Sequence, residues 1–276
     1  MNFIVVYIRY DILFGMIRKA CIKDEKPIFE FLLQEPAYNL FLISDIQNFG
    51  FDQPFQEVWI DDNTAAGISG ILLRYYSHFI IAGQGSFDEQ GLAEIAGKHP
   101  DFKLISGKDD RIRSVNKYIP FTSIQRFYFA ELRKISSTFS PKTDGEIQKA
   151  KAEDAETLFD LQKGIEEFRE MGLTREVLQA TLSSGTGRFY YCIREGGIIS
   201  CAGSTAENPK AALIFGVCTA KEWRNRGFAS LCMLSLCREL LSEGKRAYLF
   251  YNNPEAGRIY KRLGFHDIGR WSSGRM

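Results

Sequence analysis

The clearest chemistry in the chain lies between Gly216 and Ala229, where a strand-like apolar run breaks into a basic, glycine-bearing loop and resumes as a helix. A strand that runs through a glycine into a helix start suits an anion. The first amides of a helix lack intrahelical partners and the macrodipole adds partial positive charge, so main-chain donors can hold a pyrophosphate. Gly227 would let a phosphate approach the backbone, Arg224 and Arg226 supply forked cationic donors, and Ala229 keeps the first turn small. The helix expected from Ser230 to Leu241 is apolar apart from Arg238 and Glu239, as a helix packed on a sheet should be.

Other chemistries find little support. Neither G-x-G-x-x-G nor G-x-x-x-x-G-K-[ST] occurs at this junction, and Gly83-Gln84-Gly85 reads as a turn because Asp88 occupies the third glycine position. The six cysteines form no C-x-x-C pair and the three histidines, His78, His99 and His266, lie far apart, which argues against a metal site and against a histidine-based nucleophile. Most cysteines sit in apolar runs and are expected as buried thiols in a reducing, cytoplasmic setting. With 35 basic and 34 acidic residues the net charge is +1, so nucleic acid and anionic membrane are not expected partners. No apolar run reaches the ~20 residues of a membrane span.

Downstream, a strand from Ala247 to Tyr251 leads into Asn252 to Phe265. Together the two segments resemble the GNAT superfamily of acyl-CoA-dependent N-acyltransferases. The family's pyrophosphate motif, Arg/Gln-x-x-Gly-x-Gly/Ala, is matched by Arg224, Gly227 and Ala229. Its C-terminal signature is matched by Asn253, Ala256, Tyr260, Gly264 and Phe265. The resemblance is strong over Glu146 to Phe265. It implies that acetyl-CoA, or another acyl-CoA, lies in a V-shaped opening between the strand ending at Thr219 and the strand ending near Tyr251. Pantetheine would bond to main chain around Val217 and Thr219, and the segment Arg224, Asn225, Arg226, Gly227, Phe228 and Ala229 would carry the phosphates. Asn253 and Ala256 would complete the cofactor site. Tyr260 stands at the family's position for the acid that protonates the departing thiolate. The family fixes no position for the base that deprotonates the amine, and Glu207, after the strand from Ile198 to Ala206, is the candidate chosen here.

These residues need a scaffold, and the pattern supplies one twice. From Met16 the chain reads strand, helix, helix and three strands, then alternates helix and strand to Leu132. From Glu146 a similar order begins again, with Asp154 as an N-cap, a helix face of Leu158, Leu161, Ile165 and Phe168, and a Gly196-Gly197 hairpin. The expected fold is α/β (α+β): two GNAT-like domains, each a mixed, mainly antiparallel twisted sheet flanked by helices. The expected boundaries are an extension at 1–15, a degenerate domain at 16–135, a polar linker at 136–145 and a catalytic domain at 146–276. The implied activity is acetyl transfer from acetyl-CoA to a primary amine of a small molecule or peptide, without a metal. The alternative is a non-catalytic acyl-CoA-binding regulator.

Overall fold

The computed structural model describes residues 16–63, 67–165, 168 and 174–276, so the expected extension at 1–15 lies outside the described residues. The fold is mixed α/β, and the described residues divide into two compact units: those of 16–34, 49–124 and 273–276 form the first, and those of 35–48 and 125–272 form the second.

In the first unit, β1 (Met16–Lys19), β3 (Gln56–Asn63), β4 (Gly67–Tyr75), β5 (His78–Gly83) and β6 (Leu104–Lys108) form the sheet in that order, with the short β2 (Asp52–Gln53) paired to β3. All pairs are antiparallel except β5 with β6, which α3 (Glu89–Lys98) connects. Leu92, Ala93 and Ala96 place one face of α3 against Leu72, Phe79 and Ile81 of the sheet. The helices α1 (Glu25–Leu32) and α4 (Asp109–Val115) complete the unit.

The second unit contains β7 (Ser123–Leu132), β8 (Ile147–Lys149), β9 (Phe189–Arg194), β10 (Gly197–Asn208), β11 (Ala211–Thr219), β12 (Arg246–Tyr251) and most of β13 (His266–Arg275). Their order is β13-β7-β12-β11-β10-β9-β8, with β11 and β12 parallel and the other registered pairs antiparallel. On one face lie α7 (Phe228–Ser242) and α8 (Pro254–Leu263). Phe228, Cys232, Leu236 and Leu240, four apart, run down α7 into a core shared with Ala212, Ile214, Ala247 and Leu249. The opposite face is covered over β9 to β11 by α5 (Ala155–Lys163) and α6 (Arg175–Ser184), around Leu158, Leu178, Phe189 and Cys201.

The units differ from the expected 16–135 and 146–276 division for two physical reasons. β7 pairs antiparallel with β12, from Leu132↔Ala247 to Tyr128↔Tyr251, and so belongs to the second sheet. The helix α2 (Leu40–Phe49) also packs on that sheet: Phe41 stacks with Phe250 at 6.2 Å and lies 6.1 Å from Trp271, while Ser44 Oγ donates to Ala206 O at 2.6 Å. The polar segment 136–145 lies along the second unit. Ser136 N–H donates to Leu263 O (2.9 Å) and Arg194 Nη2 to Asp144 O (3.1 Å). Of the six cysteines, Cys192, Cys201, Cys218, Cys232 and Cys237 are buried thiols, whereas Cys21 is exposed.

Candidate active site

The sequence sets up the site by parting two strands. β11 pairs with β12 only from Ala211↔Arg246 to Ile214↔Leu249, and no pairing follows although both strands continue. On its other side β11 stays bound to β10, with Cys201↔Cys218 but Gly203↔Phe215, so β11 spends one extra residue there. This is a β-bulge, and Gly216 within it has φ +61°, a left-handed conformation suited to glycine. The bulge sharpens the local twist and turns Phe215 to Thr219 away from β12. The expected V-shaped opening has this cause. Val217 and Thr219 lie on its wall, Val217 half-buried against the α7 core and Thr219 Oγ1 2.9 Å from Ser200 Oγ.

β11 then runs into the basic loop. Lys221 to Trp223 form a single 3-10 turn, and the loop reverses through Asn225 (φ +63°) and Gly227 (φ +96°). Gly227 stands at the N-cap of α7 and, lacking a side chain, caps none of the first-turn amides of Phe228, Ala229 and Ser230. A Cβ on Gly227 would meet Lys142 Cβ and Thr143 Cγ2 at an ordinary 3.4 Å, so glycine is required there first by φ and only second by space. Arg224 is exposed and donates through Nε to Thr219 O at 3.2 Å, which fixes its stem and leaves both terminal nitrogens for an anion. Arg226 lies over the Trp223 ring at 4.8 Å, and Trp223 meets Phe228 edge-on at 5.8 Å. The loop is thus braced by stacking on an otherwise exposed turn.

Asn253 caps α8 through Oδ1, which accepts from Glu255 N–H at 2.9 Å, and Pro254 occupies the first turn. Ala256 is half-buried on the same turn. Tyr260 is 9% exposed, edge-on to Tyr251 at 5.7 Å and to Phe265 at 6.1 Å. Burial pushes its phenol up to about 12. It is therefore protonated at neutral pH. Passing that proton to a thiolate of pKa ~8.5 is uphill by roughly 5 kcal/mol, against roughly 2 for an ordinary phenol. A hydrogen bond to the developing thiolate is the larger part of what this group can offer.

Glu207 is elsewhere. It lies at the β10–β11 hairpin, where Asn208 faces Ala211, and β11 then runs to Thr219, roughly 26 Å away at ~3.3 Å per residue. Its carboxylate is 7% exposed, chelated by Arg188 (2.9 and 2.7 Å) and bonded by Lys245 at 2.7 Å. Burial alone would raise this carboxyl, but the bonds from Arg188, Lys245 and Ser204 outweigh it and hold it below its ordinary value. An ionised, saturated carboxylate far from the opening is a structural ion pair, and the choice of Glu207 as base is corrected accordingly. A cavity of about 440 Å³ lined by Arg188, Glu207, Asn208 and Lys245 sits at this same hairpin end, away from the strand opening.

Other residues of the second unit had no motif to announce them. Gln162, on α5, is 2% exposed, and its amide lies beside the bulge. A Cβ on Gly216 would be 3.0 Å from Gln162 Nε2 and 3.1 Å from Phe189 Cε1. On α2, Asp45 shares a helix face with Phe41 four residues earlier, and burial pushes its carboxyl up to about 7. Only the helical periodicity of Leu40 to Gln47 hinted at α2, and nothing in it showed which sheet the helix would cover.

The corresponding strand-to-helix junction of the first unit is built differently. Before α3, Asp88 caps the helix through Oδ1, which accepts from Gly91 N–H at 2.8 Å, and Asp88 N–H itself donates to Asp61 Oδ2 at 2.7 Å. A carboxylate therefore occupies the position that an anion would need. Phe87 packs so closely on Gly83 that a Cβ there would lie 2.2 Å from its ring, and a Cβ on Gly107 of β6 would be 2.7 Å from Ile81 O of β5. The registered pairing of β5 with β6 ends at Ile80↔Ser106, and the two strands are still in close approach one residue further, at Ile81 and Gly107.

Residues 154–265 match the family described as Acetyltransferase (GNAT) family. No curated protein matches the chain by sequence. Solved structures share its fold. A protein of Drosophila melanogaster superposes with a TM-score of 0.69 at 12% identity, over 95% of this chain and 99% of that one. A GCN5-related N-acetyltransferase from Sphaerobacter thermophilus gives 0.62 at 15% identity over 95% of each chain. A tandem GNAT protein from the clavulanic acid biosynthesis pathway gives 0.56 at 13% identity, over 94% of this chain and 98% of that one.

Proposed function

We propose that the protein, whose residues 154–265 match the GNAT acetyltransferase family, moves an acetyl group from acetyl-CoA to a primary amine of a small molecule or peptide. The observation that carries this reading is the β11–β12 opening, which ends at the uncapped first turn of α7 beside Arg224 and Arg226. The diphosphate binds the amides of Phe228 to Ser230 and the two guanidiniums, and the pantetheine extends β11 along Val217 and Thr219. A backbone N–H of the bulged strand faces the oxyanion formed when the amine adds to the thioester, and Tyr260 donates a hydrogen bond to the sulfur as the C–S bond breaks. One acetyl-CoA binds per chain, because in the first unit Asp88 and Phe87 take the space and the amides such a ligand needs.

Calorimetric titration of acetyl-CoA tests the placement. One equivalent should bind the wild type, and Gly227→Val should weaken affinity at least about tenfold in a protein that remains folded, since a β-branched residue at φ +96° costs on the order of 1–2 kcal/mol or displaces the turn. Unchanged affinity in the folded variant, or two equivalents in the wild type, would remove the assignment.

A further inference from the structure

The amide of Gln162 presents an oddity that the cofactor site does not absorb. Its oxygen, Oε1, is buried without a hydrogen-bond partner, although the side chain is 2% exposed. The amide nitrogen donates to Cys201 Sγ at 3.7 Å, and the same sulfur lies 3.3 Å from Gly216 O and 3.6 Å from Cys218 Sγ. With its one hydrogen on either of these neighbours the sulfur accepts from Gln162 Nε2, which leaves Oε1 as the free end of the amide. A buried acceptor without a donor costs about 1–3 kcal/mol, so its persistence calls for a donor that arrives with a ligand.

The position says which donor. Gln162 touches the bulge at Gly216, where β11 leaves β12, and it approaches from the α5 face of the sheet. The opposite face is filled by α7 and α8, with the phosphate loop at the start of α7. With that face filled, a nucleophile attacking a thioester held in the opening comes from the α5 face, the one on which Gln162 lies.

We propose that Gln162 Oε1 accepts a hydrogen bond from the N–H of the attacking amine and selects primary over secondary amines. The inference rests on the acetyl-transfer reading above. In the reaction the nitrogen lone pair forms the N–C bond while the C–S bond breaks and its electron pair leaves on sulfur. Of the two amine hydrogens, one departs as a proton, to solvent, while the thiolate takes one up. The other remains on the product amide. A neutral amide oxygen is too weak a base to remove a proton, so it holds the hydrogen that stays and aims the lone pair at the carbonyl carbon. A secondary amine has only the hydrogen that must leave, and Oε1 has nothing to hold through the transition state. Gln162 is thus a specificity-determining residue of the acceptor side.

The experiment compares wild type with Gln162→Leu, and with Gln162→Met as a second isostere, using benzylamine, phenethylamine and hexylamine and the N-methyl derivative of each. Thiol release from acetyl-CoA gives kcat/KM. Wild type should favour each primary amine over its N-methyl partner. The variants should lose about tenfold or more on primary amines, so that the ratio collapses, with acetyl-CoA affinity unchanged. Their melting temperature should equal or exceed that of wild type, since a free buried oxygen has been removed. A preserved primary-to-secondary ratio would overturn the proposal, as would a melting temperature lower by more than about 3 °C in both variants, which would show the oxygen serving the fold. Wild type that releases no thiol with any of these amines counts first against the transferase reading, and against this inference with it.

Discussion

Tyr260 and Glu207 show how the same fold treats two candidate groups. Both are buried, yet Glu207 is surrounded by cations that keep it charged, while Tyr260 sits among aromatic rings that keep it neutral. Removing the Tyr260 hydroxyl leaves the ring packing intact, so Tyr260→Phe is expected to bind acetyl-CoA as wild type does and to turn over about 10²-fold more slowly. With its phenol near 12, the acid should show no loss between pH 8 and 10 that Tyr260→Phe abolishes. A turnover change below about threefold, measured in steady state with one accepted amine, would return Tyr260 to a packing role. The glycine-bearing turn before α7 was legible at this scale because Arg224, Gly227 and Ala229 mark a strand-to-helix junction through fixed local spacing. Glu207 was misread because its place after the strand from Ile198 to Ala206 was taken to face the cleft. Its place at the hairpin turn, at the far end of β11 from Thr219, was already implied by the strand order.

The elements around the opening are the bulged strand β11, helices α7 and α8 on one face and α5 on the other. Strands β10 and β12 and helix α7 followed from periodicity and turn chemistry, with ends displaced by a residue or two; α7 begins at Phe228 rather than Ser230. The bulge was not legible, since Gly216 in an apolar run looks like any small core residue until its pairing is known. Nor was the role of α2, whose Phe41 and Asp45 matter only through the sheet they meet. Asp45 yields a prediction at this scale. Its folded-state pKa, about 7, lies above the ordinary carboxylate value near ~4, so the protonated form favours the folded state. The corresponding stability is fully present below pH ~4 and is lost as the pH rises to about 7. Denaturant titrations at pH 4.5 and 7.5 should show this decline in wild type and a flatter profile in Asp45→Asn. Equal slopes would place the carboxyl in a more open setting.

At the scale of the molecule, two copies of one element order were visible in the sequence, but the division between them was not. The polar run from Ser136 to Gly145 looked like a boundary because composition marks loops. Which sheet a strand joins depends on long-range pairing, and Ser123–Leu132 hydrogen-bonds with β12. A fragment comprising 146–276 therefore lacks both β7 and α2. It would expose Tyr248, Phe250 and Trp271 and leave one edge of β12 unpaired, so it should aggregate or melt without cooperativity. A fragment melting cooperatively at the full-chain temperature would show the second unit to be complete without them.

The opening between β11 and β12 is proposed to serve acetyl transfer and not acyl-CoA sensing. The most direct measurement is the rate of thiol release from acetyl-CoA by the full chain with and without a panel of primary amines, with the products identified by mass. Amine-dependent release, matched mole for mole by N-acetylated amine, is the expected result. One equivalent of tightly bound acetyl-CoA, with no release above the rate in water for any amine, would contradict it.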